Sequence, residues 1–187
     1  MADAVVDLTH DEDRNSNNHH MRLWIPMCPI AKPSVSYGPG RGGPKGWFCM
    51  YINTGVKKKM NEFKTFVGKA AARQGFQRIP RNRPVQMTVW FFLRRPDDDF
   101  TSRTRGIGRL KESAMADSET IVAIKPDTDN MGKFLLDALT GVLYEDDAQV
   151  VDLHMFKLRD SVGLCNGRVA VDVSIWNKSV NQILPQF

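Results

Sequence analysis

Cysteine is scarce in this chain. Cys28, Cys49 and Cys165 are the only three in 187 residues, too few and too scattered for a disulfide framework or a zinc site. They read as reduced, mostly buried thiols of an intracellular protein. Long apolar runs are missing as well: none approaches the ~20 residues that cross a bilayer, so no membrane association is expected. Asp3, Asp7 and Asp11 stand where a secretory or transit peptide would be basic. The glycine-rich stretch Tyr37-Gly-Pro-Gly-Arg41-Gly-Gly-Pro-Lys45-Gly lacks the Gly-Lys-Ser/Thr ending of a phosphate-cradling loop, which argues against nucleotide binding.

What is present is an ordinary globular composition, 42% hydrophobic and 25% charged, in a length that suits one domain with a full core. Charge is unevenly spread. Residues 1–20 hold Asp3, Asp7, Asp11, Glu12 and Asp13 against Arg14 alone, a net of −4 within an overall +5. The other 167 residues therefore carry 25 bases and 16 acids, a net of +9. A basic body suits a polyanion, through phosphate contacts and counterion release. A merely solubilising surface would have the same charge.

The polar residues 1–20 read as a disordered acidic tail. Within it, Val5, Val6 and Leu8, followed by Asp11-Glu12-Asp13, resemble a SUMO-interacting motif: a short apolar strand that adds to a sheet edge while acids meet a basic rim. The next 160 residues, 21–180, read as a single α/β (α+β) domain, and 181–187 as a C-terminal tail. Met21–Ile30 and Phe48–Asn53 are expected strands, with the basic glycine-rich loop between them. Lys57–Arg73 places Met60, Phe63, Phe66, Val67 and Ala70 on one helical face, and Gln74-Gly75 ends it. Lys57, Lys58 and Lys59 fall in the first turn, where the helix dipole disfavours cations, so a phosphate-facing role is one account and a solvated charge run the other. Val85–Leu93, rich in β-branched and aromatic residues, is a central strand. Residues 94–119 read as a long polar, mobile insertion whose Asp97-Asp98-Asp99 triplet is taken as solvated loop charge. Thr120–Ile124 is an expected strand, Thr128–Leu139 a helix, and Gln149–Leu158 and Arg168–Trp176 a closing pair of strands. The sheet is then mixed, of about five strands, with two main helices.

The segment Lys125–Lys157 carries the chemistry. Met131, Phe134, Leu135, Ala138 and Leu139 recur at helical spacing and form a buried face, while Asp129, Lys133 and Asp137 are spaced by four along another. Asp127 and Asp129 stand two apart where strand passes into helix and can aim at one point. Asp146 and Asp147 arrive from the turn after the helix. Each has a bland alternative: a helix cap for Asp127 or Asp129, an i,i+4 pair for Asp129 and Lys133, turn residues for Asp146 and Asp147. An EF-hand is excluded, because counting from Asp127 puts Met131 at loop position five and Ala138 at position twelve.

Taken together, Asp127-Thr-Asp129-Asn-Met-Gly-Lys133 and Asp146-Asp147-Ala-Gln-Val-Val resemble the RusA family of Holliday-junction resolvases. The resemblance implies Asp127, Asp129 and Asp147 as catalytic acids and metal ligands, Lys133 as the catalytic lysine, and Asp146 as a weaker ligand. It implies Mg²⁺ or Mn²⁺, as oxygen-only donors also suggest, and a homodimer that nicks a four-way DNA junction symmetrically in recombination and repair. Arg41, Lys45, Lys57, Lys58, Lys59 and Lys125 are candidate DNA contacts. The insertion and the acidic tail depart from compact members of the family. A junction-binding protein with a silenced site, and a nuclease of the same chemistry acting on flaps or RNA, remain open alternatives. SUMO is a candidate partner through the tail. The compartment is expected to be nuclear if the protein is eukaryotic and cytoplasmic otherwise.

Overall fold

The structure, a computed structural model, describes residues 19–27, 54–101, 110–115, 121–160 and 167–178, together with the backbone of 36–39 and 48–51. Among the described residues, six strands and three helices follow in order: β1 (Met21–Ile25), β2 (Ser36–Pro39), β3 (Phe48–Tyr51), α1 (Thr54–Arg73), β4 (Val85–Leu93), α2 (Glu112–Met115), α3 (Thr128–Leu139), β5 (Val150–Arg159) and β6 (Arg168–Ile175). The main sheet has four strands in the order β1-β6-β4-β5, and β2 and β3 form a separate antiparallel ribbon. The expected five-strand sheet is thus four strands plus a ribbon, and the α+β class holds.

β4 alternates strictly. Val85, Met87, Val89, Phe91 and Leu93 are buried on one face, and the residues between them are half-buried on the other. This is the period of a strand with one face against a core. The same inner face is continued by Val169, Val171 and Val173 of β6 and by Met21, Leu23 and Ile25 of β1. Helices α1 and α3 cover it. Phe63 meets Phe134 edge to face at 5.9 Å between ring centres, a contact whose truncation to alanine costs about 3–5 kcal/mol. Gly132 brings α3 close to β5, since a Cβ there would stand 2.6 Å from Met155 Sδ. Gly75, at φ +65°, ends α1, with Phe76 N–H donating to the Ala71 carbonyl and Gly75 N–H to that of Ala72, the paired bonds of a left-handed helix cap.

β4 and β5 run parallel, so they need a crossover, and α3 supplies it. β5 and β6 therefore do not pair with each other; each flanks β4. Val151 is looped out where the β4–β5 register shifts between Val85 and Gln86.

Several expected boundaries move. β1 ends at Ile25, where Met27 N–H turns back to the Ile25 carbonyl, and β3 ends at Tyr51. α1 begins at Thr54 rather than Lys57, so Lys57–Lys59 straddle its first and second turns and the dipole opposes them less. The expected strand before α3 is reduced to one bridge, Ile121 with Leu158, beside the bond from Val122 N–H to the Lys157 carbonyl.

The insertion is built at both its ends. Asp97–Asp99 form a 3₁₀ turn, Phe100 bridges Leu110, and Arg95 is 2% exposed. The acid triplet is not simply solvated. Asp97 pairs with Arg94, and Asp99 pairs with Arg95 at 3.3 Å and Arg159 at 3.5 Å. Val5, Val6, Leu8, Arg41, Lys45, the side chains of the three cysteines, the tails and residues 102–109 and 116–120 lie outside the described residues.

Candidate active site

Asp127 is the N-cap of α3. Its backbone is extended (φ −72°, ψ 141°) and its carbonyl accepts from Met131 N–H at 3.1 Å. Its carboxylate makes no capping bond, so the bland role of a side-chain cap does not hold for it, and the group is exposed. One turn on, Lys133 Nζ donates to Asp129 Oδ2 at 3.2 Å. Both side chains are more than 60% exposed. The Lys133 ammonium holds the Asp129 carboxyl below the usual carboxylate range. The strand-like approach to this end is tied down by Lys157, whose ammonium donates to the carbonyls of Ile124 at 2.6 Å and Pro126 at 3.2 Å. The intervening Lys125 is exposed, and the Lys125–Pro126 peptide bond is cis.

The other acids sit elsewhere. Asp146 Oδ1 accepts from Ala148 N–H at 3.0 Å, and Gln149 Oε1 accepts from Asp146 N–H at 2.9 Å, a reciprocal cap of the 3₁₀ turn Asp147–Gln149. Asp146 also pairs with Arg81 at 3.3 Å. Gln149 Nε2 fastens the turn to the carbonyls of Pro80 and Arg83. Asp147 itself is exposed. Burial pushes the Tyr144 phenol well up, and the nearby charges of Asp147 and Asp137 push it the same way.

These two groups of acids lie at opposite ends of α3. The helix is 12 residues long, a span of about 18 Å. The sheet gives the same separation: Val150, just after the Asp147 turn, pairs with Val85, while Lys157, beneath Pro126, pairs with Phe91, six positions and roughly 20 Å further along β4. Among the described residues no three His, Cys, Asp or Glu side chains come together to hold a metal ion. The donor set is carboxylate oxygen throughout, which suits Mg²⁺ or Mn²⁺. One chain, however, presents two of the candidate ligands at each end of the helix, Asp127 with Asp129 and Asp146 with Asp147, rather than three at one place.

α1 carries cations toward the Asp127 end of α3. α1 packs beside α3 with Phe63 on Phe134 and Gly68 near Val142, so the helices run the same way and Lys57–Lys59 lie toward the Asp127 end. Lys57, Lys58 and Lys69 line an open cleft of about 690 Å³. Sequence reasoning passed over Lys157 and Arg81. Lys157 had a signal, being a cation at an inward position of a strand otherwise facing the core through Leu153 and Met155; Arg81 had none.

A basic α+β domain that exposes carboxylates and a lysine at a helix terminus has the makings of a phosphodiester-cutting protein. The sequence profile of the family described as endodeoxyribonuclease RusA matches residues 45–174, well over half of the 187. The chain belongs to the RusA endodeoxyribonuclease family. Among curated proteins, none matches it by sequence.

Proposed function

We propose that this protein is a divalent-metal-dependent endonuclease that resolves four-way DNA junctions as a homodimer, each active site being shared between two copies. The observation that carries this reading is the separation of Asp127 and Asp129 from Asp147 by the length of α3. β5 is an edge strand, and the bridge at Ile121–Leu158 engages only its last residues. Its middle, about Asp152 to Phe156, is free to pair with a second copy among the described residues. Antiparallel pairing about a two-fold axis reverses the direction of the second β5 and the second α3. The Asp127 end of one copy then lies near the Asp147 end of the other. Exposed Val151, Ile121 and Ile124 flank the same edge, as apolar surface that such pairing would cover.

In this reading Asp127 and Asp129, with the partner subunit's Asp147, would hold the cation. A bound Mg²⁺ or Mn²⁺ supplies an activated water and neutralises charge on the phosphate. Lys133 restrains the Asp129 carboxylate and offers a point charge toward the scissile phosphate. Lys157 fixes the backbone that presents Asp127. Lys57–Lys59 and Lys125 draw in the DNA backbone.

The test is cleavage of a labelled synthetic four-way junction with Mg²⁺, with and without EDTA, beside Asp129→Asn. Paired symmetric nicks are expected, and EDTA and the substitution should each abolish them. The variant should still bind the junction, because removing a carboxylate removes repulsion of the phosphate. Tight binding by the wild-type protein without nicks would make it a junction binder. Preferential cutting of flaps or RNA would move the substrate class.

A further inference from the structure

Both helices that cover the sheet lie on its inner face. The outer face is polar at one end, where Arg22, Asp172, Thr88 and His154 share a register row, and is laid with rings at the other. Trp24 of β1, Ala170 of β6, Trp90 of β4 and Phe156 of β5 stand in one register row across all four strands. Trp90 and Phe156 stack at 6.2 Å with 17° between their planes. Trp24 lies 5.5 Å from Phe92, and the Arg168 guanidinium sits over both, 4.8 Å and 4.6 Å from their ring centres. Ala170 is only 4% exposed although it faces outward, so the rings lie down over it rather than standing away from the sheet. Trp24 and Phe156 themselves remain 39% and 40% exposed.

An aliphatic patch would call for a protein partner. This surface is aromatic, pre-ordered by strand pairing, and carries a guanidinium, the combination on which unpaired bases stack. Duplex bases are already stacked on one another and offer no free face. Position points the same way. Phe156 is adjacent in sequence to Lys157, which anchors the segment leading to Asp127, so the platform begins within a sheet's thickness of the candidate site. The chain outside its acidic tail is strongly basic.

We propose that the aromatic end of the sheet's outer face is a stacking platform for single-stranded DNA, engaging bases left unpaired where strands part near the cut. That the DNA is the enzyme's own substrate rests on the function proposed above; the stacking itself does not.

The probe is a fluorescein-labelled oligothymidine, read by anisotropy against the full-length wild-type protein and Trp24→Ala, Trp24→Leu and Trp24→Tyr, on the strand farthest from β5, with a blunt duplex of equal length alongside. Loss of one stacking ring should weaken oligothymidine binding about tenfold for the alanine and leucine variants, and the tyrosine variant should bind like wild type. Duplex binding should be unchanged in all. Wild-type protein that ignores the oligothymidine, or a leucine variant that binds it as well as wild type, overturns the proposal. Junction cleavage by the same samples separates the two readings. Nicking without ring-dependent oligothymidine binding removes the platform and keeps the nuclease; ring-dependent binding without nicking does the reverse.

Discussion

The ammonium of Lys157 reaches from inside β5 to the carbonyl oxygen of Pro126, 3.2 Å away, and holds that of Ile124 at 2.6 Å. Among the described residues no regular strand secures residues 121–126; beyond the Ile121–Leu158 bridge and the Val122 N–H bond to the Lys157 carbonyl, the Lys157 ammonium is what ties the stretch that leads into Asp127. Hydrogen bonds to a charged donor contribute about 1.5–3 kcal/mol. Lys157→Met keeps the aliphatic stem and removes the charge. It is expected to lower unfolding stability by about that amount in urea titration, and to slow junction nicking while leaving junction binding near wild type. Unchanged nicking would mean that Asp127 is positioned by something else.

A shared active site makes a prediction that a site within one chain does not. Asp129→Asn and Asp147→Asn are each expected to be inactive. Mixed under conditions that exchange subunits, they form heterodimers in which one site receives both substitutions and the other receives neither. Nicking of single strands should therefore return on mixing, without the paired second nick. Continued inactivity of a mixture shown by mass to contain heterodimers would place each site in a single chain.

Periodicity made much of the scaffold legible. Met131, Phe134, Leu135, Ala138 and Leu139 are all buried, and β4 runs over the residues that its composition marked, because both elements bury one face and repeat at their own period. The order of the strands was not legible. That β5 lies beside β4 rather than β6 depends on a crossover, and no local pattern records it. The separation of Asp127 from Asp147 was within reach, since twelve helical residues between two acids already imply about 18 Å. Asp127 and Asp129 were expected to meet Asp147 because the family motif joins them in sequence, whereas the helix between them parts them in one chain.

Arg95 shows what composition cannot tell. The polar stretch after β4 looked solvated, yet the Arg95 side chain is 1% exposed, with Nε donating to the Asp160 carbonyl at 2.6 Å and Nη1 beside Asp99. Neighbouring Arg94, 31% exposed, pairs with Asp97. Paired and solvated charges have the same sequence. Removing one member of a buried charge network costs about 3–5 kcal/mol, whereas an exposed pair contributes about 1 kcal/mol or less. Arg95→Met should therefore lower the urea midpoint strongly and Arg94→Met hardly at all. Equal effects would show that the Arg95 site is hydrated in solution.

Beside the other edge strand, β1, Asp172 of β6 receives Arg22 Nη2 at 2.7 Å, Arg22 Nε at 2.9 Å and His20 Nε2 at 3.0 Å. Its hydrogen bond to Asp172 raises the His20 pKa above the ordinary 6.5. Burial alone would raise the Asp172 carboxyl, but the bonds from His20 and Arg22 outweigh it and hold the group below the ordinary 3.8. A raised histidine stabilises the fold fully below its unfolded pKa, and that contribution fades as pH rises through the folded value. A lowered aspartate stabilises it above its unfolded pKa and loses this as pH falls through the folded value. The triad is therefore most effective between about pH 4 and 6.5. Above that window the Arg22–Asp172 pair persists alone. Asp172→Asn should destabilise most near pH 5.5 and less at pH 8. His20 and Arg22 are largely exposed, so the difference between the two pH values should stay within about 1 kcal/mol and shrink in high salt. Urea titrations of wild type and variant at the two pH values, each with and without added salt, measure it. A difference that grows toward pH 8 would mean that His20 is not the partner that gains a proton.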